Sequence, residues 1–262
     1  MRDTELMYDI PSILIALSLF VLIYAIMHAG RKLGKRRQAK HTEDSKQQAN
    51  AVQGSLIGLL ALLLGFTFSL SLGRFDQRSV EVVNEANAIG TAWLRTDLLA
   101  KERSGPAKDL MRQYAGLRLE TATVSAADGP GRDRLIASAE MVFAALWQLA
   151  TDEAKESGNP VSMGFVTSLN DMADALSARN AAINRHVPEI VLFLLFGTFL
   201  VLSGVIGYSS GITTTKPGVP VYSMLLLIVV LVFLIIDLDR PRRGLIAVDQ
   251  SALAATVAAM QP

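Results

Sequence analysis

Four stretches of the chain, 10–29, 51–73, 190–215 and 217–236, contain no Asp, Glu, Lys or Arg. Each is long enough to cross about 30 Å of hydrocarbon at a rise of about 1.5 Å per residue, so the pattern predicts four membrane-spanning helices. The first span follows the acidic segment "MRDTELMYD", and no small-residue cleavage site precedes the basic run after it. It reads as an anchor that stays, rather than as a signal peptide.

The 74–187 region between the second and third spans is polar and helical in period, with no strand-like alternation. From position 51 to 104 there is no Pro, and Gly73 and Gly90 are isolated. The pattern predicts one helix that leaves the bilayer and runs on for roughly 75–80 Å in all. Breaks are expected at "SGP" (104–106), "ADGPGRD" (127–133) and "SGNP" (157–160). Phe165, Leu169, Met172, Leu176, Ile183 and Val187 share one helical face. Pro188 then either opens the third span or kinks a helix that continues into it.

The expected fold class is therefore an all-α integral membrane protein, with a helical extramembrane bundle between spans two and three. The expected regions are 1–50 (first span and basic loop), 51–73 (second span), 74–187 (helical region), 188–236 (third and fourth spans) and 237–262 (C-terminal tail).

Composition supports the membrane class: 51% of the 262 residues are apolar and mean hydropathy is +0.35. Net charge is only +1, yet residues 31–46 hold seven basic side chains (Arg31, Lys32, Lys35, Arg36, Arg37, Lys40 and Lys46) against Glu43 and Asp44. Such a short basic loop beside the first span is expected in the cytoplasm, with anionic lipid as its partner rather than nucleic acid. That places the 74–187 region outside. The opposite face also carries basic residues: Arg2, Arg74, Arg78, Arg179, Arg185, Arg240, Arg242 and Arg243, against Lys216 on the loop side.

No Cys is present, which excludes disulfides, thiolate chemistry and Cys-built zinc sites. His28, His41 and His186 have no ligand spacing, so no metal or other cofactor is expected. "GYSSG" (207–211) matches G-x-S-x-G, but that elbow requires a preceding strand and here a membrane helix precedes it. No enzyme is expected. The spans lack the ionisable side chains at depth that proton relays and voltage sensors use. A pore closed by an apolar constriction needs none.

Span two differs from the others. Gly54, Gly58, Ala61, Gly65, Ser69 and Gly73 form a stripe of small residues. Small faces allow close helix approach in lipid, so the stripe reads either as a packing face or as the lining of an oligomer axis. In the second case Leu62, Phe66 and Leu70 form an apolar constriction. Past the membrane come Arg74, Asp76, Arg78, Glu81 and Glu85, with Asn84, Asn87 and Thr91 on the same helix. Span four exits into Asp237, Asp239 and Arg240, with Pro241 ending the helix. These charges read either as solvated boundary residues or as an ion-attracting vestibule or Arg–carboxylate network between subunits.

"GLLALLLGFTFSLSLGRFDQR" (58–78), "VVNEANAIGTAWLRTDLL" (82–99) and "DLDRPRRGLIAVDQ" (237–250) resemble a bacterial family described as bestrophin-like. Leu72-Gly73-Arg74-Phe75 and Glu85-Ala86 are similar in kind and spacing to bestrophin motifs. The aromatic-rich stretch expected after the second span is replaced by "SVEVVNEANAIG". The resemblance implies a pentameric ion channel whose second span lines an apolar neck at Leu62, Phe66, Leu70 and Ser69. It also implies a vestibule from Arg74 to Glu85, and a helical domain in the cytoplasm.

The expected partners are the lipid bilayer, further copies of the chain and inorganic ions, and the expected location is the bacterial inner membrane. The competing expectation is a non-conducting scaffold or sensor whose helical region binds a partner protein.

Overall fold

The structure, a computed structural model, describes residues 10–37, 43–124, 128–213, 217–240 and 245–261, with the backbone alone for 43–46. His41, Ala127, Pro241 and the basic positions Arg2, Lys40, Lys216, Arg242 and Arg243 lie outside the described residues. The chain is all-α: α1 (Ser12–Arg37), α2 (Glu43–Thr96), α3 (Lys101–Thr123), α4 (Gly129–Ser157), α5 (Pro160–Ile183), α6 (Glu189–Ile212), α7 (Val219–Asp239) and α8 (Ser251–Ala259). Four of these, α1, α2, α6 and α7, are long and apolar enough to cross a membrane. Positions 31–37 of the expected basic loop continue α1, placing Lys35, Arg36 and Arg37 in its last turn, where cations face the negative end of the helix dipole.

The chain divides into two compact units, Met1–Arg74 with His186–Ile246 and Phe75–Arg185 with Ala247–Pro262. In the first, α1 packs against α6 and α7 over a core of Leu19, Ile23, Met27, Leu195, Phe199, Leu202 and Val232. The α1–α6 contact is made backbone to backbone. A Cβ on Gly30 would meet the Gly204 carbonyl, on Gly34 that of Tyr208, on Gly207 that of Met27, and on Gly211 that of Arg31. Small residues permit this approach, and dispersion then holds the helices together where lipid offers no hydrophobic drive. "GYSSG" lies inside α6, so its glycines serve packing.

In the second unit, α3 packs against α4 and α8, and α4 against α5. Val82, Ile89, Met111, Tyr114, Leu146, Phe165, Leu169, Met172 and Leu253 form the core together with residues from α2. The α5 stripe is buried through Phe165, Leu169 and Met172. Beyond that, Arg179 and Ala182 take the buried positions, Ile183 is half-buried, and Val187 follows the end of α5.

Three junctions differ from expectation or settle it. The long helix ends at Thr96, not at Ser104. Asp97, Leu98 and Leu99 bond back to Leu94, Arg95 and Thr96 in a tight turn, the Thr96 hydroxyl donates to the Trp93 carbonyl at 2.6 Å, and Leu99 is drawn into the core. "SGP" lies within α3, with Pro106 inside the helix. At the third break, Gly158 caps α4 with φ 58°, a left-handed conformation that costs glycine least. The Asn159 side chain then accepts the Ser162 N–H at 2.9 Å to open α5. Pro188 stands at the N-cap of α6 and so opens the third span.

Candidate functional site

Within the first unit, α2 has two unlike faces. Leu60, Thr67 and Ser71, spaced by seven and four, are buried, and the Thr67 hydroxyl is satisfied by the Leu63 carbonyl at 2.6 Å. On the other side Leu62, Phe66 and Leu70 are 56%, 62% and 47% exposed. Ala61 and Ser69 are exposed beside them, and among the described residues nothing lies within 4 Å of a Cβ placed on Gly54, Gly58, Gly65 or Gly73. No described helix of the chain packs against these glycines.

In the second unit the same helix carries two buried charges, Arg78 and Glu85, 2% and 0% exposed. Arg78 donates through Nε to the Ala182 carbonyl in the last turn of α5 at 3.2 Å and through Nη2 to that of Arg185, just past the helix, at 2.7 Å. Glu85 gives one oxygen to each of two arginines: Oε1 accepts from Arg118 Nε at 2.7 Å and Oε2 from Arg179 Nη1. Arg179 Nη2 also reaches Gln250 Oε1 at 2.8 Å. Both expected vestibule residues thus have partners within their own chain. Glu81 is half-buried and accepts from Gln77 and Asn84 along the exposed side of α2. Arg74, in the first unit, is half-buried.

At the end of α7, Asp237, Asp239 and Arg240 are buried. Asp237 accepts the Ile246 N–H at 2.9 Å, both Asp239 oxygens accept the Val187 N–H at 3.1 Å, and Arg240 donates to the Ile10 carbonyl and the Ser12 hydroxyl. These charges tie the segments before α1, before α6 and after α7 to one helix end. Among the described residues, no group of three or more His, Asp or Glu is placed to hold a metal ion.

Beside the Glu85 cluster, Tyr114 is 1% exposed. Burial raises its phenol pKa to about 12, outweighing the opposing pull of Arg118. A group whose folded pKa lies above its unfolded value contributes stability below the unfolded pKa and loses it as pH rises through the folded one. Stability should therefore fall between pH 10 and about 12, by roughly 2–3 kcal/mol more in the wild type than in Tyr114→Phe. Denaturation of the two proteins across that range checks the difference.

Arg118, Tyr114 and Gln250 were not singled out from the sequence. The readable signal is that Ala107, Met111, Tyr114 and Arg118 form one buried stripe on α3, and a charge in such a stripe requires a partner.

The family described as Bestrophin-like domain matches residues 21–253. The chain belongs to the bestrophin-like family. Its fold is similar to that of two crystal structures of point variants of a bacterial bestrophin homologue from Klebsiella pneumoniae. One has a TM-score of 0.63 at 14% identity, covering 93% of this chain and 96% of that one. The other has a TM-score of 0.63 at 15% identity, covering 94% and 95%. A further crystal structure, of a variant described as a membrane protein, has a TM-score of 0.58 at 14% identity and covers 93% and 96%. No curated protein matches the chain significantly.

Proposed function

We propose that the protein is a homo-oligomeric ion channel, pentameric like the bestrophins, in which the open face of α2 lines the ion path and Leu62, Phe66 and Leu70, with Ser69, form an apolar constriction. The observation that carries this reading is the emptiness around that face. Lipid-facing helices gain nothing from glycines, whereas a neighbouring helix gains close approach. Among the described residues, nothing lies within 4 Å of a Cβ placed on Gly54, Gly58, Gly65 or Gly73. Leu62, Phe66 and Leu70 project from the same side of α2 at four-residue intervals, a spacing that stacks side chains on consecutive turns. A ring of such side chains around an axis closes a path by excluding water, and widening it admits ions.

The 74–187 region is read as the extramembrane bundle. The short basic 31–46 segment is assigned to the cytoplasmic side of a bacterial inner membrane. The buried carboxylates and arginines of the two units hold helices within the chain and take no part in conduction.

Ion flux from protein purified into liposomes tests this reading. Wild-type protein should conduct, and Phe66→Ala or Leu70→Ala should raise conductance several-fold and relax selectivity. Unchanged conductance and selectivity in both variants would remove the constriction from α2. No flux from wild-type protein that recovers a symmetric oligomer would favour the scaffold reading.

A further inference from the structure

The Glu85 cluster holds unequal charge. Arg118 and Arg179, whose side chains are 8% and 5% exposed, share one carboxylate that is 1% exposed. Among the described residues, Arg118 donates one side-chain hydrogen bond, through Nε to Glu85. Arg179 donates two, to Glu85 and to Gln250. The Gln250 amide nitrogen gives one of its two N–H donors to the Val248 carbonyl at 3.0 Å. Tyr114, one helical turn from Arg118 on α3, buries a hydroxyl that has no hydrogen-bond partner among the described residues. The other buried carboxylate of this unit, Glu153, is taken by Arg103 at 3.6 Å.

Among the described residues, two guanidinium groups share one carboxylate beside an unpartnered phenol, and their remaining N–H groups bond no protein atom, a surplus of one positive charge and of donors. Buried charge is stable when matched, and spare donors around a positive site match a small anion.

We propose that Arg118, Arg179 and Tyr114 bind one small monovalent anion, halide or nitrate in size, inside the second unit. One anion cancels the surplus charge, and the phenol donates to it. The site is separate from the α2 face proposed to carry ions, so it requires no conduction.

The test measures thermal unfolding of the purified full-length protein in sodium bromide and in sodium gluconate at equal ionic strength. Wild-type protein should gain stability with bromide in a saturable way, by about 3 °C at about ten times the dissociation constant. Tyr114→Phe keeps the ring and should fold in gluconate but lose most of the bromide gain. Arg118→Gln should lose it entirely. No bromide dependence in the wild type would mean that the hydroxyl meets only water, and would overturn the proposal. A wild-type gain retained in both variants would overturn it too, by placing the anion elsewhere.

Discussion

Glu85→Ala is expected to cost about 3–5 kcal/mol, enough to prevent recovery of folded protein at ordinary temperatures. The substitution removes the single carboxylate held between Arg118 and Arg179, and both guanidinium groups stay buried without it. Breaking a buried pair from one side is harsher than losing the pair, because the remaining charge keeps its desolvation penalty. Arg118→Met should therefore be much milder: Glu85 keeps Arg179, and the aliphatic side chain fills the buried position. Yields and unfolding midpoints of the two variants in one detergent measure the contrast. Equal loss in both would mean that packing, rather than charge matching, dominates at this cluster.

Gly207→Leu is expected to be as damaging in the other unit. A Cβ at Gly207 would run into the Met27 carbonyl, with the Met27 Cα and carbonyl carbon close behind. Backbone cannot step aside as a flexible side chain can, so the helices must separate and give up the contacts along the α1–α6 seam. Overpacking typically costs about 1–3 kcal/mol, and a clash against backbone belongs at or above the upper end. Gly197→Leu on the same helix is the control, since among the described residues nothing lies within 4 Å of a Cβ there. The unfolding midpoint of Gly197→Leu should stay near wild type while that of Gly207→Leu falls.

The four spans were legible because uncharged runs of spanning length admit few other readings. The junctions were legible where they depend on local chemistry: Gly158 and Asn159 between α4 and α5, and Pro188 at the start of α6. They were missed where tertiary packing decides. The turn after Thr96 contains neither Gly nor Pro and exists because Leu99 enters the core. Pro106 is tolerated inside α3, where Arg103 and Ser104 already bond the Ala100 carbonyl and establish the first turn. The tail hides α8, an Ala-rich segment whose place depends on Leu253, on Met260 and on the Arg112 bond to the Met260 carbonyl at 2.7 Å.

The sites divide in the same way. Small residues on α2 stood out as a stripe, whereas those that bring α1 and α6 together are shared between two helices and acquire meaning only when paired. Glu85 and Arg179 were visible as charges near the span ends, but not as partners. Each takes a buried position in an otherwise apolar stripe of its helix, Val82–Glu85–Ile89 and Leu169–Met172–Arg179. Partner identity depends on three helices meeting, which spacing along one helix does not encode.

Cross-linking tests the proposed axis most directly, because a chain without Cys accepts a single reporter thiol cleanly. Ser69→Cys, on the open face of α2, should form covalent dimers between copies on mild oxidation in lipid. Leu226→Cys, 56% exposed on α7, should not. Cross-links from position 226 with none from 69 would turn the α2 face towards acyl chains and contradict the account.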